Sequence, residues 1–274
     1  MFTQNLHTHS TFDDGQNTLE EMARAAMNAG LTSIGFSVHT PMPFPSCWTI
    51  DAAHMPEYIA KVQRVQHALR GQIDVYCGAE WDLYSPIAPT GFDYVIGSIH
   101  HLSIGSEFPC VDNSVEETKY ILRRGFGGDA DAMAEAYFRQ YEALARVKEV
   151  DIVGHFDLLT KFDEQWTFFD PDSPRFRAAA TDAMDLLIAA GKIFEINTGA
   201  ISRGYRTTPY PSETLLRELF ARGAKVTISA DAHRTQDVAF GFAQAEALAR
   251  RCGYREAWQF SGTGFVAVPL DETV

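Results

Sequence analysis

Short apolar runs alternate with longer amphipathic stretches along the chain. The runs at 2–6, 33–38, 73–79, 94–99, 151–154, 192–197 and 225–230 predict strands. Between them, apolar positions recur with helical spacing at 18–30, 56–69, 131–148, 175–190, 212–222 and 237–251. The first helical stretch opens with Thr18 and Glu21 in capping-box spacing and stops at Asn28-Ala29-Gly30. Gly191 and Gly223 stand where helix-ending glycines belong.

Strands alternating with helices predict parallel pairing through right-handed crossovers. Seven strand segments without a Gly-, Pro- or Ser-rich linker point to one closed or nearly closed α/β barrel in a single domain, 1–274. An open doubly wound sheet is the structural alternative. The stretch 103–129 is long, contains glycine and is weakly patterned; it reads as an excursion near the face that carries the chemistry.

Composition narrows the function. At 274 residues and 46% hydrophobic, the chain can bury a large core without disulfides. With 23 Lys plus Arg against 36 Asp plus Glu, the formal net charge is −13, a poor match to a nucleic-acid backbone. That charge would also repel a phosphorylated substrate unless something locally positive sits in the site. No apolar run reaches membrane-spanning length, and the N-terminus lacks a basic region followed by an apolar core. Four cysteines without CxxC spacing read as reduced thiols in a cytoplasmic protein.

The histidines are not scattered. His7 and His9 follow the first predicted strand, His39 the second, His100 the fourth and His155 the fifth. Glu80 closes the third, and Asp231 and His233 follow the seventh. In a parallel barrel all these strand ends open onto one mouth. His7-Thr8-His9 on extended backbone puts both imidazoles on one side, and Asp231-Ala232-His233 repeats that arrangement. Mixed imidazole and carboxylate donors suit Zn, Mn or Fe. Of His100 and His101 only one points inward, and His100 matches the other strand ends; His54 and His67 are expected at the surface.

These motifs resemble the polymerase and histidinol phosphatase (PHP) superfamily of phosphoesterases. The resemblance rests on His7-Thr8-His9-Ser10 with Asp14-Gly15, and on the segment from Gly35 through His39 to Phe44. Gly78-Ala79-Glu80, Gly97-Ser98-Ile99-His100, Gly154-His155-Phe156-Asp157 and Ser229 to Arg234 complete it in family order, over 6–260. Glu195 to Gly199, Pro209 to Ser212 and His155 to Phe162 are similar to the histidinol-phosphate phosphatase branch. One departure stands out: Val38 occupies the place before His39 that is commonly acidic in the family.

The resemblance implies a distorted (β/α)7 barrel with three divalent metal ions, Zn, Mn or Fe. The first would take His7, His9, Glu80 and Asp231, with Glu80 bridging to a second held by His100 and His155. The third would take Asp14, His39 and His233. The implied reaction is hydrolysis of a small phosphate monoester, L-histidinol phosphate first, by a hydroxide bridging two ions. Asp231 would orient that hydroxide and His233 would protonate the leaving group. The alternatives are a PHP phosphoesterase acting on nucleotides or short oligonucleotides, and a silent PHP module that binds a partner.

Arg203, with Arg206 and Arg234 as weaker candidates, offers a planar fork for phosphate oxygens. Asp112, Glu195, Trp48 and Tyr210 are candidates for the other end of the substrate. Phosphate-loop, dinucleotide-loop and nucleophile-elbow motifs are missing, which leaves metal-assisted hydrolysis.

Overall fold

A computed structural model describes residues 2–270. The predicted runs become β1 (Gln4–Asn5), β2 (Ser33–His39), β3 (Asp74–Asp82), β4 (Tyr94–Ser98), β5 (Ile152–Val153), β6 (Ile193–Asn197) and β7 (Lys225–Ser229). They pair in chain order, each parallel to the next. Beyond the short β1, Thr8 bridges Ala232 in parallel: His9 N donates to Ala232 O at 2.9 Å and Ala232 N donates to His7 O at 3.1 Å. The sheet thereby closes at its C-terminal end into a nearly closed barrel.

Alternation along β2 shows how the barrel is filled. Ile34, Phe36 and Val38 pack outward into the core shared with the helices, while Gly35, Ser37 and His39 face the interior. Val38 is therefore packed among apolar side chains and is turned away from the mouth. Inside, Leu6, Tyr94, Ile96, Ile152 and Ile193 form an apolar floor. A Cβ on Gly35 or Gly78 would fall within 2.3 Å of the Tyr94 side chain, so both glycines make room for that tyrosine. Above the floor lies a layer of small polar side chains, and above that the strand-end histidines.

Helices Leu19–Asn28, Met55–Ala68, Pro174–Ala189 and Glu213–Ala221 lie where the periodicity places them. The capping box is formed: Glu21 N donates to Thr18 Oγ1 at 3.3 Å and Thr18 N donates to Glu21 Oε2 at 2.9 Å. Four places differ from the sequence expectation. The stretch 131–148 divides into Ala130–Arg139 and Tyr141–Ala145, and the last helix, Phe242–Cys252, begins late because Gly241 adopts a left-handed φ of 71°. The excursion 103–129 contains a helix, Val115–Phe126, started by Ser114, whose hydroxyl accepts from Glu117 N. Finally, β8 (Glu256–Phe260) and β9 (Phe265–Pro269) form an antiparallel hairpin.

That hairpin seals the floor. Phe260 joins the interior apolar cluster, Phe260 N donates to Gln4 Oε1 at 2.7 Å, and Gln4 Nε2 donates back to Phe260 O at 2.9 Å. Among the described residues, no helix is long and apolar enough to cross a membrane.

Candidate metal centre

Glu80 is the hub of the mouth. Its Oε1 lies 2.9 Å from His155 Nε2 and 3.4 Å from His100 Nε2. Its Oε2 lies 3.0 Å from His7 Nε2, 3.0 Å from His39 Nδ1 and 3.5 Å from His9 Nε2. Ser98 Oγ fixes the carboxylate by donating to Oε1 at 2.6 Å. Asp231 Oδ1 closes the other side, 3.3 Å from His9 Nε2 and 3.7 Å from His7 Nε2. At the rim, Asp14 Oδ1 lies 3.2 Å from His233 Nε2 and 3.8 Å from His39 Nε2.

All nine residues expected to hold metal thus surround one mouth, and their donor atoms fall into four overlapping groups, each within 4.8 Å. The partition differs slightly from the expected one. His9 also groups with Asp14, His39 and His233, and His7 groups with Glu80 and His155. Two ligands of one ion stand roughly 3–4 Å apart, given bonds near 2.1 Å, so these groups have the right size.

The polar bookkeeping fits a cation. His7 Nε2, His9 Nε2 and Glu80 Oε2 are buried without a hydrogen-bond partner. Orphaned atoms of this kind are costly unless something satisfies them. Burial alone would lower the His7 and His9 imidazoles. Neighbouring carboxylates, Glu195, Glu80 and Asp231 for His7 and chiefly Asp13 for His9, outweigh it and push His9 up to about 10. Burial would raise the Glu80 carboxyl, but His39, His7 and His100 hold it well below the ordinary value. The cluster collects positive charge, as a proton or as a metal ion.

The PHP domain model matches residues 5–199, well over half of the chain. The chain belongs to the PHP domain family. A probable histidinol-phosphatase of Deinococcus radiodurans is 32% identical over 267 residues, covering 91% of this chain and 93% of that protein. The histidinol-phosphatase of Bacillus subtilis is 25% identical, covering 90% and 98%. The fold matches histidinol phosphate phosphatase of Lactococcus lactis, a crystal structure with zinc, L-histidinol and phosphate. There the TM-score is 0.70 and the identity 20%, over 96% of this chain and 98% of that one.

Around the PHP mouth stands an outer ring of three carboxylates. Asp13 Oδ2 lies 2.7 Å from His9 Nδ1 and accepts from His39 N at 3.0 Å. Asp82 Oδ2 lies 3.0 Å from His100 Nδ1 and accepts from His100 N at 3.1 Å. Glu195 Oε2 lies 2.9 Å from His7 Nδ1, while its Oε1 accepts from His155 N at 2.6 Å. Each holds one ring nitrogen and so aims the other, Nε2, into the cluster. The carboxylate beside the His39 backbone is Asp13, so the PHP departure at Val38 leaves that position supported.

Sequence reasoning missed Asp13 and Asp82. Asp82 had a signal, since it stands two residues from Glu80 on the same strand and shares its face. Asp13 had none beyond its neighbour Asp14. Gly15 explains the Asp-Gly pair: a Cβ there would sit 2.3 Å from Ser10 N, so only glycine lets this loop return against the first strand. Asp231 is held at a left-handed φ of 47°, an uncommon conformation for a side-chain-bearing residue and one that concentrates at functional sites.

The remaining expectations separate by position. Arg203, Asp112 and Trp48 line the mouth, a cavity of about 330 Å³ that also includes Lys161 and Tyr205. Arg203 is not a free fork: Nη2 donates to Asp231 Oδ2 and Nη1 to Asp231 O, both at 2.9 Å. Arg206 is turned away from the mouth. The chain reverses at Gly204, with φ 77°, and Arg206 is held under the loop by Thr160 and Thr208. Arg234 is paired with Asp237. Glu195 is consumed by its hydrogen bonds, and Tyr210 is buried against Arg206, so neither meets a substrate. His100 faces the cluster, whereas His101 stacks beside Trp48; His54 and His67 are exposed.

Proposed function

We propose that this chain is a metal-dependent phosphomonoesterase that hydrolyses L-histidinol phosphate to L-histidinol and phosphate. The observation that carries the reading is the shared Glu80 carboxylate, whose two oxygens face different histidine sets within one buried cluster. His7, His9, Asp14, His39, Glu80, His100, His155, Asp231 and His233 would hold divalent ions there, with Zn, Mn and Fe suited to the donor set. Bound divalent ions supply a nucleophile at neutral pH and neutralise phosphoryl oxygens.

The protein's own part is positioning. Arg203 pins Asp231 Oδ2, leaving Oδ1 turned toward His7 and His9. It also reaches His233 Nδ1 at 2.9 Å. Burial and the neighbouring His9 push the His233 imidazole below the usual histidine value, so it stays neutral. That favours His233 as a ligand over the proton donor expected from the sequence. Arg203, beside Asp231 and His233, faces the phosphoryl end, while Lys161 Nζ donates to Asp112 Oδ2 at 2.9 Å. Asp112 is ionised, since Lys161 and His100 outweigh the effect of its burial, and with Trp48 it suits an ammonium and a flat ring. The histidinol-phosphatase names of the Deinococcus and Bacillus relatives support this substrate. So does the Lactococcus structure holding L-histidinol and phosphate.

The test is phosphate release from L-histidinol phosphate, nucleoside monophosphates and an aryl phosphate, with Mn, Zn or Fe restored. The expected result is a clear preference for L-histidinol phosphate in kcat/KM. A preference for a nucleotide would overturn the substrate. No turnover of any ester by fully metal-loaded protein would overturn the enzymatic reading.

A further inference from the structure

Arg206, a sequence candidate for phosphate, is buried outside the mouth, and its contacts give it another task. Its guanidinium lies over the Tyr210 ring, 4.6 Å from the centroid. Nη1 donates to Thr160 O at 3.2 Å and to Thr160 Oγ1, and Nη2 donates to Thr208 Oγ1 at 3.2 Å. Thr160 belongs to the loop after β5 and Thr208 to the loop after β6, so one planar fork joins the two loops. Further bonds run beside it. Ser212 N donates to Asp157 Oδ2 at 3.0 Å, and Thr207 N and Thr208 Oγ1 donate to Glu164 at 2.7 and 2.9 Å. None of these residues lines the mouth.

Their chain neighbours do. Lys161 follows Thr160 and Tyr205 precedes Arg206, and both line the mouth, with Lys161 Nζ 4.7 Å from the centre of the Tyr205 ring. Tyr205 also meets Phe162 edge to face, with ring centres 5.8 Å apart. Lys161 Nζ in turn donates to Asp112 O at 2.7 Å and to Asp112 Oδ2 at 2.9 Å. The Arg206–Thr160 link outside and the Tyr205–Lys161 contact inside are thus adjacent rungs of one connection, and Asp112 is tied to the inner rung. The groups at the metal centre are anchored separately: His155 N donates to Glu195 Oε1 at 2.6 Å, and Arg203 is held by Asp231.

We propose that Arg206 is a positioning residue for substrate selectivity. From outside the mouth it clamps the loop after β6 onto the loop after β5. It thereby fixes Lys161, Tyr205 and, through Lys161, Asp112, the side of the mouth that receives the non-phosphoryl end of the substrate. The inference deepens the phosphatase reading and rests on it.

The test compares kcat/KM for L-histidinol phosphate and an aryl phosphate on metal-loaded protein. Arg206→Met should lower the preference for L-histidinol phosphate about tenfold or more, through KM, with metal content unchanged. A merely structural role would lower both esters alike, through the folded fraction. Arg206→Lys, which keeps the charge and loses the fork, should fall between. Thr160→Val, which keeps the shape and removes the hydroxyl acceptor, should shift the preference the same way and serves if Arg206→Met does not fold. Combining Arg206→Met with Lys161→Met should cost little more than Lys161→Met alone, since residues acting through one another are not additive. Crystals of the variants read the clamp without any turnover: Lys161 Nζ should leave Asp112 while the donor atoms around Glu80 stay in place. An inactive wild type would overturn the phosphatase reading, and this geometry then decides the clamp on its own. An unchanged preference in folded Arg206→Met and Thr160→Val overturns the proposal. So do fully additive effects in the double variant, or a Lys161–Asp112 contact kept in the crystals of both single variants.

Discussion

The two ends of the barrel are built on opposite rules. At the floor, Tyr94, Ile96, Ile152, Ile193 and Phe260 fill the interior, and the Gln4 side chain satisfies the backbone of Phe260 in both directions. At the mouth, the same strands end in imidazoles and carboxylates, and His7 Nε2, His9 Nε2 and Glu80 Oε2 are buried there without partners. The floor is satisfied by the chain alone, whereas the mouth is complete only with something bound. The floor is held by apolar packing and the mouth carries the chemistry, so substitutions at the two ends should separate stability from activity.

The largest effect belongs to the mouth. Glu80→Ala should lower phosphate release by about a thousandfold or more, since metal assistance is worth several kcal/mol and each 1.36 kcal/mol is tenfold. Metal content, measured by elemental analysis, should fall with it; unchanged stoichiometry would refute the shared-ligand role. At the floor, Phe260→Ala should cost about 3–5 kcal/mol of stability in denaturant unfolding, with kcat of the folded fraction unaltered. A loss of kcat at intact structure would show that the two ends are coupled.

Smaller effects test the outer ring. Asp82→Ala should weaken metal binding about 10–100-fold by releasing His100, with Tm changing little once metal is saturating. Full metal affinity in that variant would reduce Asp82 to a structural residue.

Asp163, outside the mouth, sharpens the comparison through pH. Burial pushes the Asp163 carboxyl up to about 7. Because the unfolded carboxyl titrates near 4, the native state holds the extra proton between about pH 4 and 7, and stability falls as pH rises through that window. Asp163→Asn should flatten this slope and gain about 1–2 kcal/mol at pH 8 relative to pH 5. An identical slope in urea unfolding would remove Asp163 as its source.

Much of this was legible in one dimension. The seven strands were visible because most of them are short buried runs rich in apolar residues, while the polar β1, Gln4–Asn5, is marked only by Phe2 and Leu6 on either side of it. The candidate ligands were visible because they sit at fixed places relative to the ends of those runs. The hairpin Glu256–Phe260 with Phe265–Pro269 was not, although Phe265 to Val268 is an apolar run, because no helical stretch follows it to fit the strand–helix alternation. The helix Val115–Phe126 carried a readable start in Ser114 and Glu117 that its weak apolar pattern hid. Arg203 and Arg206 look alike in sequence, but the reversal at Gly204 sends one to the mouth and the other under the loop against Thr160 and Thr208.

What the sequence determined by itself was the order of the barrel strands and the identity of the side chains at their ends, since both follow from local periodicity and residue chemistry. Only the tertiary structure decided which nitrogen of His7, His9 and His100 faces inward, because Glu195 and Asp82 come from other strands and Asp13 is brought onto His9 by the turn of the loop that follows it. It also decided that the −13 of the whole chain does not describe the mouth. There the nearest carboxylates are turned onto histidines and a place for cations, and electrostatic energy depends on distance and burial rather than on composition.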